Sequence, residues 1–127
     1  MAEIWIFGNQ DVAQDALPVQ LMPRLQREFT QHRFTHQDPL DEWEMPDPLY
    51  LIDTVEGVNV VSVFTSLDAF QQAPHVTMHD FDLGTQLQFM NKLGKLPKQL
   101  FIFGIPSHLS AAVAYDQLVQ LLRQYGL

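Results

Sequence analysis

The sequence predicts an α/β domain with helices on both faces of one sheet. We expect a three-layer α/β/α sandwich whose sheet of about five strands is mixed but mostly parallel. Short apolar runs rich in β-branched and aromatic residues alternate with longer segments whose apolar residues recur at helical spacing. Such alternation is typical of parallel sheets covered by helices. Because 127 residues is an ordinary size for one domain, residues 1–127 are predicted to form a single domain.

The first strand is predicted at the apolar run Glu3 to Phe7, which lacks polar alternation and is typical of a strand covered on both faces. A Gly-Asn turn ends this strand. A helix is expected from about Asp15 to Gln31, because leucines recur there every four residues. Pro23 lies inside that helix, where the missing amide proton favours a kink or a restart. Arg33 to His36 is a short candidate strand.

The middle of the chain is predicted to form a hairpin. Leu49 to Asp53 is a second apolar run, and Val58 to Phe64 is a third one rich in β-branched residues. The Glu56-Gly57 pair between them is a turn signal, which favours antiparallel pairing of the two runs. This hairpin is the reason why the sheet is predicted to be mixed. The preceding stretch, Asp38 to Pro48, contains three prolines and is interpreted as a loop.

The last part of the chain is predicted to contain two helices and one strand. Ser66 to His79 is interpreted as a loop. The helix after it carries an apolar stripe and ends at Gly94, a typical helix terminator. Leu100 to Gly104 is predicted to be a buried strand, and the final helix is expected from Ala111 to Tyr125.

Composition excludes several classes of function. The net charge of −8 argues against nucleic acid and against an anionic membrane surface as partners. The chain has no cysteine, which excludes disulfides, thiolate metal sites and cysteine nucleophiles. No apolar run approaches the length of a membrane span, and the acidic N-terminus does not resemble a signal peptide. We therefore expect a cytoplasmic protein, which we take to be a monomer.

The common catalytic motifs are absent from the sequence. There is no Gly-rich dinucleotide or phosphate loop and no His-Glu-x-x-His zinc motif. The segment before Ser107 is not a nucleophile elbow, because that motif needs glycine on both sides of the serine. The pairs His32 and His36, and His75 and His79, are each four residues apart but outside predicted helices. They carry little weight as metal pairs.

Three polar residues are predicted to lie at the same edge of the sheet. Asp15 follows the first strand, Asp53 ends the second apolar run, and His79 precedes a helix. Ligands of open α/β sheets bind beyond the carboxyl ends of the strands. An acid that closes a buried strand usually has a partner or a metal, since an unpaired buried charge is costly. The alternative is that Asp15 caps a helix, Asp53 starts a turn and His79 lies on the surface.

The chain resembles the hydrogenase maturation endopeptidases over nearly its whole length. Phe7-Gly8-Asn9, followed six residues after the Asn by Asp15, is similar to the Gly-Asn and acidic turn of that family. Leu51-Ile52-Asp53 resembles its apolar strand that ends in Asp. The most specific match is in three later segments: His79-Asp80-Phe81-Asp82-Leu83, Leu93-Gly94-Lys95-Leu96-Pro97-Lys98-Gln99-Leu100 and Phe103-Gly104-Ile105-Pro106.

The resemblance implies a metal-dependent, aspartyl-type endopeptidase that removes the C-terminal peptide of a nickel-iron hydrogenase large-subunit precursor. It assigns Asp15, Asp53 and His79 as both the catalytic and the metal-binding residues. Two carboxylates and one imidazole suit nickel or similar divalent ions. The nickel is expected to arrive with the precursor, and other divalent metals are possible in vitro.

Two other functions remain open at the level of the sequence. Gln14 stands where the family usually has a second acid, and Pro18 stands where it has a glycine in the first helical turn. A glycine-rich segment of the family has no counterpart before Leu49. Gln14 and the missing glycine-rich segment motivate the second hypothesis, a non-enzymatic relative that binds the large subunit as a folding or assembly factor. The third possibility is a general α/β ligand-binding domain in which the three residues do not meet.

Overall fold

A computed structural model of the protein describes residues 1–38, 43–72 and 83–127. It contains one five-stranded sheet with the strand order β2-β1-β3-β5-β4. All adjacent pairs are parallel except β4 and β5, which are antiparallel. The strands are β1 (Glu3–Ile6), β2 (Arg33–His36), β3 (Leu49–Val55), β4 (Ser62–Phe64) and β5 (Leu100–Pro106).

In the part of the chain that the structure describes, four α-helices flank the sheet, and a short 3₁₀ turn, Ala13–Asp15, precedes the first of them. The helices are α1 (Leu17–Glu28), α2 (Leu67–Gln72), α3 (Leu83–Lys92) and α4 (Ala111–Gln124). Within the described ranges, no helix is both long and apolar enough to cross a membrane. The mixed, mostly parallel sheet between helices confirms the predicted fold class.

The described residues form two apolar core clusters, one on each face of the sheet. On one face, leucines of α1 and α4 pack on even-numbered residues of β1 and β3. On the other face, residues of α2 and α3 pack on odd-numbered residues of the same strands. Each fully buried leucine contributes about 1.5–3 kcal/mol relative to an exposed one, so the two clusters fix both helical layers on the sheet. Fully buried members include Ile4, Ile52, Leu25 and Leu118 on the first face, and Leu49, Leu51, Phe70 and Leu87 on the second.

The predicted hairpin between the second and third apolar runs is wrong. β3 pairs with β1 on one side and with β5 on the other, and both pairings are parallel. β4 pairs with β5 instead. The reason is burial. β3 has apolar side chains on both faces, so it lies in the interior of the sheet with a paired strand on each side. β4 is only half-buried and lies at the edge of the sheet.

Two helix predictions also need correction. α1 continues through Pro23, with no break. Pro23 is exposed, so water can satisfy the carbonyl that loses its bond, while the buried Leu21 and Leu25 hold both halves of the helix on the sheet. In the segment interpreted as a loop, Leu67–Gln72 forms α2, with the Ser66 hydroxyl accepting a hydrogen bond from the Ala69 amide at 3.1 Å.

Candidate functional site

The candidate site lies at the edge where β1, β2, β3 and β5 end, which we call the carboxyl edge. Because these four strands are mutually parallel, their carboxyl ends are at the same side of the sheet. Two of the three residues predicted for the site, Asp15 and Asp53, lie at this edge. The third, His79, lies outside the described residues.

Asp53 is held near the end of β3, where it is half-buried. Its register partner on β5 is Gly104. Since side chains alternate along a strand, Asp53 points to the same face as Leu51 and Val55, which pack in the cluster with α2 and α3. Asp53 therefore lies on the face of the sheet that is covered by α3, the helix that begins at Leu83.

Asp15 reaches the same edge through the turn that follows β1. The Phe7 amide donates to the Ile52 carbonyl at 2.8 Å, so Phe7 is level with Asp53 across the two strands. Two residues further on, the Asn9 amide donates to the backbone carbonyl of Asp15 at 2.9 Å. A Cβ atom on Gly8 would be only 2.7 Å from that same carbonyl oxygen. The backbone of Asp15 thus packs directly on the turn beside β3.

Asp15 does not occupy the cap position of α1. The helix begins at Leu17, and its N-cap residue is Ala16, which makes no side-chain capping hydrogen bond. Asp15 instead ends the 3₁₀ turn and is half-buried. The interpretation of Asp15 as the cap of this helix is therefore wrong.

A complete set of metal ligands is not formed by the described residues alone. Within 1–38, 43–72 and 83–127, no three carboxylate or imidazole side chains converge as metal ligands do. The predicted third ligand is His79, which lies outside these ranges together with His75. Asp15 and Asp53 both make interactions with other groups. The described part of the site thus consists of two acidic residues, Asp15 and Asp53, whose backbones lie at one sheet edge.

His36 and His32 do not form a metal pair. His36 ends β2 at the carboxyl edge, where its Nε2 lies 2.9 Å from the Gly8 carbonyl oxygen. His32 precedes β2 at the opposite edge, where its Nδ1 accepts from the Ala2 amide at 3.0 Å. Four steps along an extended chain separate the two Cα atoms by about 13 Å.

Polar residues at this edge were missed by the sequence interpretation. The Ser107 hydroxyl donates to the Glu56 carboxylate, directly beyond the paired residues Val55 and Pro106. This bond links the ends of β3 and β5. His36 was considered only as a metal ligand. The rule that singled out Asp53, a polar residue where a parallel strand ends, would have found His36 as well.

The fold resembles that of a known protein more clearly than the sequence does. No family model matches the chain, and no curated protein sequence matches it. Among solved structures it is similar to the hydrogenase maturating endopeptidase HybD from E. coli, with a TM-score of 0.52 and 15% sequence identity. The superposition covers 99% of this chain and 94% of that chain. At this identity the likeness shows a shared fold, and the matched structure is of the class that the sequence motifs resemble.

Proposed function

We propose that this protein is a hydrogenase maturation endopeptidase, which removes a C-terminal peptide from the large-subunit precursor of a nickel-iron hydrogenase. The observation that carries the proposal is the common position of Asp15 and Asp53 at the carboxyl edge. Both acids were assigned from sequence motifs, and those motifs resemble the class of protein whose fold this chain shares. The agreement between motif, fold and position supports the proposal.

In this function the two carboxylates bind the nickel ion that the precursor carries. Carboxylate oxygens with one imidazole nitrogen form a donor set that suits nickel and zinc. His79, which precedes α3, is the proposed source of the imidazole. When bound, the ion supplies Lewis acidity toward the scissile carbonyl group. Asp15 and Asp53 orient the precursor by holding its ion at the sheet edge.

The experiment is cleavage of a nickel-loaded large-subunit precursor, followed by mass spectrometry of the precursor. We expect the loss of a C-terminal peptide. The variants Asp15→Asn, Asp53→Asn and His79→Asn each remove one proposed ligand with little change in shape. Since loss of an outer-shell partner alone costs about 10- to 100-fold, loss of a direct ligand should slow cleavage by more than about 100-fold.

The matched control is Asp11→Asn. Asp11 belongs to the same turn as Asp15, and it is exposed. Its backbone amide, not its carboxylate, makes the local bond to Asn9 Oδ1 at 2.9 Å. Cleavage should therefore be unchanged in this variant. Equal loss in the Asp11 and Asp53 variants, with all variants folded, would contradict the proposed site.

A second candidate function is that of an assembly factor, which binds the precursor without cutting it. Gln14 favours this function, because it removes a second acid from the turn that carries Asp15. The same assay separates the two functions. Binding of the precursor without any mass loss would reject the endopeptidase and support the assembly factor.

A further inference from the structure

We infer that His36 is a positioning residue for the proposed site, acting on Asp15 through the turn after β1. The effect of His36 on cleavage rests on the proposed function. Its effect on the hydrogen bonds of the turn does not depend on that function. His36 is exposed at the end of β2, on the strand next to β1, and its Nε2 lies 2.9 Å from the Gly8 carbonyl oxygen.

The direction of this hydrogen bond is fixed by its acceptor. A carbonyl oxygen cannot donate, so Nε2 carries the proton in the neutral ring. The doubly protonated ring also carries a proton on Nε2. The imidazole can therefore donate to Gly8 in both charge states. Since the adjacent Gln37 amide donates to the Ile6 carbonyl at 2.9 Å, backbone and side chain of β2 together bind the end of β1.

The turn that His36 binds is the one that carries Asp15. Asn9 donates its amide to the Asp15 carbonyl at 2.9 Å, and the Val12 carbonyl accepts from the Asp15 amide at 2.9 Å. These bonds are internal to the turn, and they fix its shape. The bond from His36 comes from a neighbouring strand. It fixes the position of Gly8, on which the Asp15 backbone packs.

Close packing couples the position of Asp15 to the position of Gly8. The Asp15 carbonyl lies so near Gly8 that a single added carbon would approach it to 2.7 Å. A displacement of Gly8 therefore displaces Asp15 as well. Misplacement of a reacting group by about 1 Å can cost about 100-fold in rate. The hydrogen bond from His36 thus connects the end of β2 to the position of Asp15.

The first test measures amide hydrogen exchange and does not depend on activity. In His36→Leu, the Asn9 and Asp15 amides should exchange about 5- to 10-fold faster, since the turn loses one hydrogen bond of ordinary strength. The Phe7 amide, bonded to Ile52 within the sheet, should be unchanged. In His36→Gln, protection should return, because the amide nitrogen of glutamine is as many bonds from Cα as Nε2 is in histidine.

The second test uses cleavage of the nickel-loaded precursor. His36→Leu should lower kcat about 10- to 100-fold and should also raise KM, because Asp15, which is proposed to bind the ion that the precursor carries, is displaced in this variant. His36→Gln should recover most of kcat. A purely structural role would lower the melting temperature and leave kcat and KM of the folded protein unchanged.

His32→Leu is the matched control. His32 also bonds to backbone, with Nε2 at 3.1 Å from the Leu127 carbonyl oxygen, but it lies at the opposite edge of the sheet. This variant should be less stable than the wild type. The exchange rates of the Asn9 and Asp15 amides and the value of kcat should be unchanged. Unchanged exchange in His36→Leu, or no recovery in His36→Gln, would overturn the inference. If the wild type does not cleave the precursor, the proposed function fails, and the exchange measurement still decides the role of His36.

Discussion

Asp53 and Gly104 are register partners on the adjacent strands β3 and β5, and the space beside the Gly104 Cα atom is filled by side chains of β3 and β4. A Cβ atom on Gly104 would be 2.8 Å from a Val55 methyl group and 3.0 Å from the Phe64 ring. Val55 follows Asp53 on the same face of β3, and Phe64 belongs to β4. The backbone around Asp53 is therefore held by close packing across three strands.

Replacing Gly104 by alanine should lower the free energy of unfolding by about 1–3 kcal/mol, the usual cost of overpacking a well-packed core. Urea denaturation monitored by circular dichroism measures the change. The controls are the single variant Val55→Ala and the double variant Val55→Ala/Gly104→Ala. Because removal of the valine methyls makes room for the new carbon, the double variant should be more stable than the sum of the single effects predicts. Strict additivity would contradict the packing explanation.

Replacing Thr54 by valine should raise the free energy of unfolding by about 1 kcal/mol. Thr54 is 3% exposed, and among the described residues its hydroxyl oxygen has no hydrogen-bond partner. A buried hydroxyl without a partner costs free energy that an isosteric methyl group does not. Thr35, half-exposed on β2, provides the control, and Thr35→Val should change stability by less than about 0.5 kcal/mol. A destabilised Thr54→Val protein would refute this account.

Replacing Gly8 by alanine should destabilise the protein by at least about 2 kcal/mol and should impair the proposed cleavage. Its φ of +148° is rarely adopted by other residues, and the added carbon would collide with backbone, which cannot rotate away. Gly94→Ala is the control. Gly94 also has a positive φ, of +70°, but no described residue lies within 4 Å of its added carbon, so a loss of about 1 kcal/mol is expected. Differential scanning calorimetry compares the two, and equal losses would show that the collision is unimportant.

Replacing Asp47 by alanine should lower the free energy of unfolding by about 1–2 kcal/mol. Its two carboxylate oxygens accept from the Lys98 amide at 2.9 Å and the Gln99 amide at 3.2 Å. These bonds join the segment before β3 to the segment before β5. Asp116→Ala, at an exposed position of α4, should have an effect of less than about 0.5 kcal/mol in the same chemical denaturation series. Similar effects of the two variants would contradict a role for Asp47 in this link.

The elements that the sequence predicted best are those whose apolar residues face other elements on all sides. β1, β3 and β5 were predicted from continuous apolar runs, and each lies in the interior of the sheet. The stripe of α4 was also predicted, since Ala114, Leu118 and Leu122 are buried at helical spacing. Burial on both faces, or along one stripe, leaves a strong local pattern.

The elements that were predicted wrongly depend on contacts between distant parts of the chain. The partner of β4 is decided by β5, and no local turn signal contains that information. α2 is short, and its only local signal is the cap at Ser66. For the site, the rule that polar residues where parallel strands end form binding sites identified Asp53. The link from His36 to Gly8 required knowledge that β2 and β1 are neighbours.

The insertion of β5 between β3 and β4 has a consequence for synthesis of the protein. β4 leaves the ribosome long before its partner strand, and until then β3 also has one uncovered side. Strand edges that wait for a distant partner are prone to aggregation. The sheet can therefore be completed only after Leu100–Pro106 has been synthesised, and a nascent chain that ends before Leu100 lacks the strand that joins β3 to β4.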